Sequence, residues 1–274
     1  MIKPPRVLTI AGSAAGGSAG IQADLKTFQE LDVYGMSVIT AIVAKHPETK
    51  KNIHSQSIEA IEAQYATAKE QVGVDVIKTG MLFSKKVIDK VAEIINGSQV
   101  KHIVIDPVMV GKLDSKLLED DAIDALKKKL LPLATIITPN MPETSVLLDG
   151  RALTCVEDLK QAAKDLYNLG PKYVLVKGGR LEGPAVDVLY DGVTYTTFEV
   201  ERLHTVNTSG AGCTYAAAIT AELAKGNSIQ DAVKIAKSFV TTAIAYGFSY
   251  TEMVGPTYHA ATRIHGVSHE VKVN

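Results

Sequence analysis

The sequence has no apolar run long enough to span a bilayer, because glycine, proline or charged residues interrupt every such stretch. Its formal net charge at pH 7 is only −1, and no stripe of basic side chains is present that would follow a nucleic-acid backbone. Hydrophobic residues make up 46% of the 274 positions and charged residues 22%, which is typical of a globular protein with a sizeable core. We therefore predict neither a membrane nor a nucleic-acid partner.

Cysteine is also scarce, since the chain contains only Cys155 and Cys213, far apart in the sequence. The first residues run directly into a strand pattern, with no secretory signal in front of it. Without export, two distant cysteines are expected to be reduced thiols rather than a disulfide. These features predict a cytoplasmic protein.

Two common phosphate-binding motifs are missing. The turn at 12–20, GSAAGGSAG, follows a short apolar run, but Ala14 interrupts the G-x-G-x-x-G dinucleotide fingerprint. The P-loop pattern G-x-x-x-x-G-K-[ST] occurs nowhere in the chain. Neither a Rossmann nor a P-loop nucleotide site is therefore supported.

What the sequence does contain is a glycine-rich stretch, NTSGAGCT at 207–214, followed by an alanine-rich helical pattern at 215–225. The first N–H groups of a helix lack internal partners and the helix dipole adds positive charge, so a glycine turn at that place binds anions such as phosphate. Cys213 lies at the start of this helix, where the dipole favours a thiolate. The alternative is a tight turn that only lets the helix pack closely.

Short apolar runs alternate repeatedly with longer helical patterns along the chain. This alternation predicts βαβ units and hence an α/β fold, with a mainly parallel sheet flanked by helices on both faces. Residues 1–274 are interpreted as one domain, because no linker or low-complexity tract divides them. Strands are predicted at 6–11, 37–43, 75–79, 101–105, 135–138 and 173–177, with a hairpin of 186–190 and 195–200. Helices are predicted at 19–31, 55–72, 84–95, 115–131, 156–169, 215–225 and 229–246.

The helix after the first glycine-rich loop carries one carboxylate where apolar residues are expected. Ile21, Leu25 and Phe28 form its apolar stripe, and Asp24 falls on or beside that stripe. A carboxylate at such a position is either half-buried and paired or directed at a ligand.

Polar and glycine residues gather where the predicted parallel strands end, which is where open α/β sheets bind ligands. Taken singly, Asp106 suits a strand-ending turn, Asn140 a helix cap and Lys177 the protein surface. Their joint occurrence beside an anion-binding turn favours a ligand site. The group comprises Gly12, Ser13, Lys78, Thr79, Gly80, Asp106, Asn140, Glu143, Lys177, Gly178 and Gly179.

This set of residues fits phosphoryl transfer, which needs a cation, an anion hole and a base near the accepting hydroxyl. Asp106, Asn140 and Glu143 are oxygen donors suited to Mg²⁺, which takes few protein ligands and keeps several waters. Lys177 can meet a nucleotide phosphate, and the N–H groups at 210–212 can meet the transferred phosphoryl group.

Seven stretches, in family order, resemble the ribokinase superfamily in its branch of vitamin B6 and hydroxymethylpyrimidine kinases. They are AGS…GGSAGIQADLKTF at 11–28, GMSVITAIVA at 35–44, IKTGM at 77–81, DPVMV at 106–110, TPNMPE at 138–143, VKGG at 176–179 and NTSGAGCTYAAAI at 207–219. The resemblance covers nearly the whole chain. It implies a ribokinase-like three-layer sandwich, the use of ATP, dependence on Mg²⁺ and a homodimer.

The resemblance also implies roles for individual residues. Cys213 takes the catalytic position that is an aspartate in most ribokinase relatives, beside an anion hole of Gly210, Ala211 and Gly212. The substrate ring is implied to contact Gly12, Ser13, Asp24, Lys45 and Met81. The nucleotide is implied to contact Asp106, Asn140, Lys177, Thr208, Gly210 and Gly212, with the metal at Asp106 and Glu143.

Three positions depart from the family pattern. Ala14 stands where the first loop usually has an aspartate. Lys45 stands where the pyrimidine kinases tend to have Gln or Glu and the B6-type relatives an apolar residue. Gly111 stands where related pyridoxal kinases carry a second, mobile cysteine. These departures bear on substrate identity more than on reaction type.

The activity expected from the resemblance is phosphorylation of the 5′-hydroxymethyl group of pyridoxal or pyridoxine by ATP. The alternative enzyme is a hydroxymethylpyrimidine or hydroxymethylpyrimidine-phosphate kinase of thiamine synthesis. The stretch at 239–263 resembles the B6 group and favours the first activity. The non-enzymatic alternative is a ligand-binding paralogue without turnover, which Ala14 supports and the intact GAGCT argues against.

Replacing Lys45 by Gln is expected to shift the ratio of kcat/KM values toward hydroxymethylpyrimidine. The ammonium can donate hydrogen bonds but accept none, so it suits the 3-hydroxyl oxygen of a B6 vitamer better than a pyrimidine amino group. The measurement is kcat/KM for both alcohols with the wild-type and Lys45→Gln proteins. An unchanged ratio would mean that this side chain does not contact the ring.

Overall fold

The computed structural model describes residues 3–44, 48, 52–109, 118–252 and 254–274. Within these ranges a single sheet runs through the molecule. Its strands are β1 (Arg6–Ala14), β2 (Tyr34–Val43), β3 (Ile53–Ser55), β4 (Val76–Thr79), β5 (His102–Ile105), β6 (Ile136–Ile137), β7 (Tyr173–Lys177), β8 (Ala185–Tyr190), β9 (Tyr195–Val200) and β10 (Lys272–Val273).

The strand order is β10-β9-β8-β7-β6-β5-β4-β1-β2-β3. The six strands β2, β1, β4, β5, β6 and β7 lie side by side in that order and are parallel. The strands β3, β8, β9 and β10 pair antiparallel with their neighbours. The parallel strands therefore end at the same edge, and their order changes direction at β1, which lies between β2 and β4. Such an edge is the expected ligand site of an open α/β sheet.

Helices cover both faces of the sheet. They are α1 (Ile21–Glu30), α2 (Ile58–Gln71), α3 (Lys85–Asn96), α4 (Asp120–Ala125), α5 (Met141–Leu147), α6 (Val156–Tyr167), α7 (Ala211–Ala224), α8 (Ile229–Ala245) and α9 (Ala261–His265). One apolar core includes residues of α2, α3, α4 and α6, and the other faces α7 and α8, with α1 beside them. The predicted α/β sandwich is confirmed by this arrangement.

Helix α7 is the innermost of the helices described. Its residues from Thr214 to Leu223 are buried around the whole circumference. Ala216, Ala217, Ala218 and Ala221 are fully buried there, and these small side chains let the helix pack closely against its neighbours. The alanine-rich sequence is thus the physical reason that the start of α7 reaches the ends of the central strands.

The observed elements differ from the predicted ones mainly at their ends. Helix α7 begins at Ala211 rather than at 215, because Gly210 adopts a left-handed conformation as its N-cap and the first turn tolerates glycine. Helix α2 begins after Ser57, which caps it, because Ile53–Ser55 pairs with β2 as an edge strand. The helix predicted at 115–131 is described from Asp120 and continues through π and 3₁₀ turns to Leu133.

Helices in the described ranges are all too short or too polar to cross a membrane.

Candidate active site

Two glycine-rich turns, each at the start of a helix, meet at the edge of the sheet. A Cβ atom on Gly210 would lie 1.7 Å from the carbonyl oxygen of Ser18, so only glycine permits this approach. The hydroxyls of Ser18 and Ser209 are 3.0 Å apart, which joins the loops directly. The N–H of Gly20 donates to the sulfur of Cys213 over 3.4 Å. The sulfur therefore lies between the first turns of α1 and α7.

The C-terminal part of the chain fixes the second turn. The Ser209 N–H donates to the Gly255 carbonyl over 3.0 Å, and the Thr257 N–H donates to the Ser209 carbonyl over 3.2 Å. One residue after the cysteine, the Thr214 hydroxyl lies 3.0 Å from Nε2 of the buried His259. Residues near 255–259 thus hold the start of α7 in place, although they are distant in sequence.

Not every amide of the turn is available to an anion. The Ala211 N–H donates to the carbonyl of Thr208 over 3.2 Å, so it is used within the turn itself. Gly212 lies beside the basic side chain of the site, since a Cβ atom on Gly212 would be 3.5 Å from Nζ of Lys177. The predicted anion hole therefore has its free N–H groups at the glycines, next to an ammonium.

Asp106 and Lys177 form an ion pair at the ends of β5 and β7. Nζ of Lys177 donates to Oδ1 of Asp106 over 3.0 Å, and the Thr138 hydroxyl donates to the same oxygen over 3.0 Å. Burial alone would lower the pKa of Lys177, but the negative charges of Asp106 and Glu143 outweigh it and raise that pKa. Lys177 therefore stays cationic at the edge of the sheet.

Asn140 and Glu143 form a capping box at the start of α5. The Glu143 N–H donates to Oδ1 of Asn140 and the Asn140 N–H donates to Oε2 of Glu143, each over 2.9 Å. The helix-cap interpretation of Asn140 is correct, and the same box brings Glu143 close to Lys177. Burial raises the pKa of Glu143 to about 7, while Lys177 opposes this increase.

The two carboxylates predicted to bind a metal offer few oxygens. Both side-chain hydrogen bonds to Asp106 reach Oδ1, which leaves Oδ2 for a cation. Glu143 already accepts hydrogen bonds from backbone N–H groups of Asn140 and Met109. Among the described residues no cluster of three or more His, Cys, Asp or Glu side chains could enclose a metal. This donor set fits Mg²⁺, which keeps most of its waters, and no cation that needs a complete protein cage.

Asp24 is fully buried at the first helix and is paired. Its Oδ2 accepts hydrogen bonds from the Thr9 hydroxyl over 2.6 Å and from Nζ of Lys78 over 2.9 Å. Its Oδ1 is buried and has no protein partner. Burial raises the pKa of Asp24, and the charge of Lys78 opposes this increase. Asp24 is thus paired through one oxygen, and its other oxygen is buried without a hydrogen-bond donor among the described residues.

The thiol of Cys213 is not the low-pKa group that its helix position suggests. Burial, together with the negative charges of Asp106 and Asp24, raises the pKa of Cys213 to about 11. Lys78 and the Gly20 N–H act in the opposite direction. The sequence indicated only the effect of the helix dipole on this pKa, because the two nearby carboxylates come from other parts of the chain.

The remaining predicted substrate residues lie around the first loop. The side chain of Met81 packs against Gly12, where an added Cβ would be 2.5 Å from the Met81 Cε atom. Ser13 pairs with Gly20 across the loop, and its hydroxyl accepts a hydrogen bond from Gln22 over 3.1 Å. The structure thus brings Gly12, Ser13, Asp24 and Met81 together. Lys45 and Gly111 lie outside the described residues.

A cavity of about 390 Å³ opens on the other side of the turn. Its polar wall includes Asn140, Lys177, Thr208, Ala211 and Gly212, all of which the sequence assigned to nucleotide, phosphate or both. Its apolar wall consists of Val200, Leu203, Val240 and Ile244.

Two buried lysines near the site received no individual role from the sequence, although Lys78 belonged to the group predicted to form the ligand site. Lys78 lies within the apolar strand β4, and Lys237 of α8 donates to Oδ2 of Asp187 over 2.6 Å in the wall of the cavity. The Oδ1 atom of Asp187 also accepts a hydrogen bond from the Gly178 N–H over 3.0 Å. A lysine inside an apolar strand pattern was the available signal for Lys78.

The chain is similar over most of its length to known kinases. A sequence model described as phosphomethylpyrimidine kinase matches residues 15–258. The chain belongs to the phosphomethylpyrimidine kinase family. It is 48% identical over 263 residues to a pyridoxine kinase of Bacillus subtilis, covering 94% of this chain and 97% of the relative. It is 42% identical over 258 residues to a hydroxymethylpyrimidine/phosphomethylpyrimidine kinase of Streptomyces coelicolor, covering 94% and 95%.

A solved structure shares the whole fold. The pyridoxal kinase of Staphylococcus aureus, in complex with AMP-PCP and pyridoxal, superposes with a TM-score of 0.92 at 39% sequence identity. The alignment covers 100% of this chain and 99% of the relative. The predicted superfamily, fold and class of enzyme, a kinase that phosphorylates a hydroxyl group, are confirmed.

Replacing Glu143 by Gln is expected to remove the part of the pH dependence of the free energy of unfolding that Glu143 causes. Between its ordinary pKa of 4.5 and the folded value of about 7, Glu143 binds a proton more tightly in the folded state than in the unfolded state. The free energy of unfolding contributed by Glu143 therefore falls as the pH rises through this window. Gln keeps an oxygen for the Asn140 N–H, so the capping box is preserved.

The measurement is urea unfolding of both proteins at several pH values inside that window. The free energy of unfolding of the wild type minus that of Glu143→Gln should decrease with rising pH. All other titrating groups are common to both proteins, so the difference isolates Glu143. A difference that stays constant would mean that Glu143 is already ionised at the acidic end.

Proposed function

We propose that this protein transfers the γ-phosphoryl group of ATP to the 5′-hydroxymethyl group of pyridoxal or pyridoxine. The observation that carries the proposal is the position of the Cys213 sulfur between the first turns of α1 and α7. The predicted substrate residues lie around the α1 loop, and the cavity with Lys177 lies beyond the α7 turn. A hydroxyl and a phosphoryl group can meet at this sulfur.

The nucleotide would occupy the cavity beside α7. Its apolar wall suits an adenine ring, and its phosphates would extend toward Lys177 and the Gly212 N–H. Use of ATP is also supported by the Staphylococcus aureus relative, whose structure contains AMP-PCP together with pyridoxal. The sequence-based assignment of Asp106, Asn140, Thr208, Gly210 and Gly212 to the nucleotide remains part of this proposal.

Mg²⁺ would be held by Oδ2 of Asp106 and, through water, by Glu143. The ion would supply positive charge that screens the nucleotide phosphates. Lys177 supplies a second positive charge from the protein itself, and its hydrogen bond to Asp106 fixes its position.

The base proposed for the acceptor is the thiolate of Cys213. The substrate O–H bond breaks as its proton passes to the sulfur, the hydroxyl oxygen bonds to the γ-phosphorus, and the bond to the leaving ADP oxygen breaks. Asp24 would hold the substrate ring through its open Oδ1 atom. Gly210 and Gly212 would receive the phosphoryl oxygens at their N–H groups, with Ala211 only shaping the turn.

A single catalytic unit over 1–274, a homodimer and a cytoplasmic location remain predictions from the resemblance and the composition. They are part of the proposal because the identity to the Bacillus subtilis pyridoxine kinase extends over 94% of the chain.

The second candidate is phosphorylation of hydroxymethylpyrimidine or its phosphate. It is supported by the family model itself and by the 42% identity to the Streptomyces coelicolor enzyme. The higher identity of 48% to a pyridoxine kinase favours the B6 vitamers.

A coupled ADP-release assay tests both activities. We expect ATP- and Mg²⁺-dependent release of ADP with pyridoxal and pyridoxine, at a higher kcat/KM than with hydroxymethylpyrimidine. A reversed order would assign the protein to thiamine synthesis. No ADP above background with any of the alcohols would reject the kinase proposal and leave the ligand-binding paralogue that Ala14 suggested.

Replacing Cys213 by Ala is expected to lower kcat by about 10²–10⁴-fold, the usual contribution of a positioned base, with little change in KM for ATP. Because burial raises the pKa of the thiol to about 11, the wild-type kcat should rise with pH above neutrality, and that of Cys213→Ala should not. Cys213→Asp should retain more activity than Cys213→Ala. A near-normal kcat for Cys213→Ala would exclude the cysteine as the base.

A further inference from the structure

Lys78 has a position that folding alone does not explain. It lies on the central strand β4, its side chain is 0% exposed, and its Nζ donates to Oδ2 of Asp24 over 2.9 Å. A Cβ atom on Gly80 would lie 3.5 Å from this Nζ, so the ammonium extends toward the end of the strand and the site. A fully buried ion pair contributes little net stability, because desolvation of both charges offsets their attraction.

The Cys213 sulfur is linked to the Lys78–Asp24 pair through Gly20, whose N–H donates to the sulfur over 3.4 Å and whose carbonyl accepts from the Asp24 N–H over 3.0 Å. Four charged groups act electrostatically on the sulfur, the carboxylates of Asp24 and Asp106 and the ammonium groups of Lys78 and Lys177. Lys177 is bonded to Asp106 and faces the cavity. Lys78 is the cation on the substrate side, at Asp24.

We propose that Lys78 is a positioning residue for phosphoryl transfer, which fixes Asp24 as an ionised hydrogen-bond acceptor and stabilises the Cys213 thiolate electrostatically. The inference rests on the proposed function, since it assigns Lys78 a part in that reaction. Both side-chain hydrogen bonds that Asp24 accepts reach Oδ2, one of them from Lys78, and the buried Oδ1 has no protein partner. The same ammonium provides positive charge when the sulfur is ionised.

The charges near the sulfur determine how readily the Cys213 thiol ionises. In a poorly hydrated site, a thiolate next to two carboxylates is disfavoured, and one nearby cation reduces this cost. Lys78 lowers the pKa of Cys213 and so favours the thiolate, whereas Asp24 raises that pKa. Removing the two charges should therefore change the reactivity of the sulfur in opposite directions, which a purely structural ion pair would not do.

The experiment is alkylation of the whole protein by iodoacetamide without substrates, at a fixed, mildly alkaline pH. Modification of Cys213 is followed by mass spectrometry, and the exposed Cys155 in the same molecule is the reference. Relative to wild type, Lys78→Met should react roughly three- to tenfold more slowly at Cys213 and Asp24→Asn faster, because only the thiolate is alkylated. Lys127→Met is the control, because it breaks a Lys–Asp pair that belongs to no part of the candidate site and should leave the rate unchanged.

Slower alkylation of Cys213 in Lys78→Met, together with faster alkylation in Asp24→Asn, supports the proposal. Equal or faster alkylation of Cys213 in Lys78→Met, or an unchanged rate in both variants, overturns it. If Lys78→Met does not fold because Asp24 is left unpaired, the double variant Lys78→Met/Asp24→Asn is compared with Asp24→Asn, and slower alkylation is again expected. An equal rate of alkylation in these two variants also overturns the proposal.

A kinetic readout separates this inference from the proposed function. Lys78→Met should lower kcat and raise KM for the alcohol while leaving KM for ATP unchanged, because the pair lies on the substrate side. If the wild type releases no ADP with any alcohol, the proposed function fails, whereas the alkylation rates still decide whether Lys78 stabilises the thiolate.

Discussion

The close approach of the first glycine loop to the start of α7 is the contact on which the site depends. The space between Gly210 and the Ser18 carbonyl admits no side chain, and the left-handed conformation at Gly210 turns the chain into the helix there. This contact brings the Gly20 N–H to the Cys213 sulfur. The side that carries Asp24 and the side that carries Lys177 are thereby joined at one atom.

The second constraint is that charges are buried in opposite pairs. Asp24 with Lys78, Asp106 with Lys177, and Asp187 with Lys237 each combine one aspartate and one lysine at or near the ends of the strands. In a low dielectric an unpaired charge is costly, so the pairs make it possible to keep acids and bases in a dry site. Cys213 belongs to none of these pairs, and burial together with the charges of Asp106 and Asp24 raises the pKa of its thiol to about 11.

Much of the candidate site could be predicted because its residues follow the ends of strands. Asn140 shows the limit of that reasoning, since it caps α5 and also lines the cavity proposed for the nucleotide, so the two alternatives were not exclusive. Asp24 is similar, with one oxygen in an ion pair and the other buried without a protein partner. A sequence pattern assigns one role to a residue, whereas different atoms of that residue can contact different parts of the fold.

Local sequence determined the strands, the helices and the glycine turns, because apolar periodicity and the conformational freedom of glycine act over a few residues. Family motifs at 11–28 and 207–219 determined the class of enzyme. Only the tertiary structure decided that Lys78 meets Asp24, 54 residues away, and that carboxylates from two other elements raise the pKa of Cys213. The cause is that burial and long-range electrostatics depend on which elements pack together, and no short stretch of sequence contains that information.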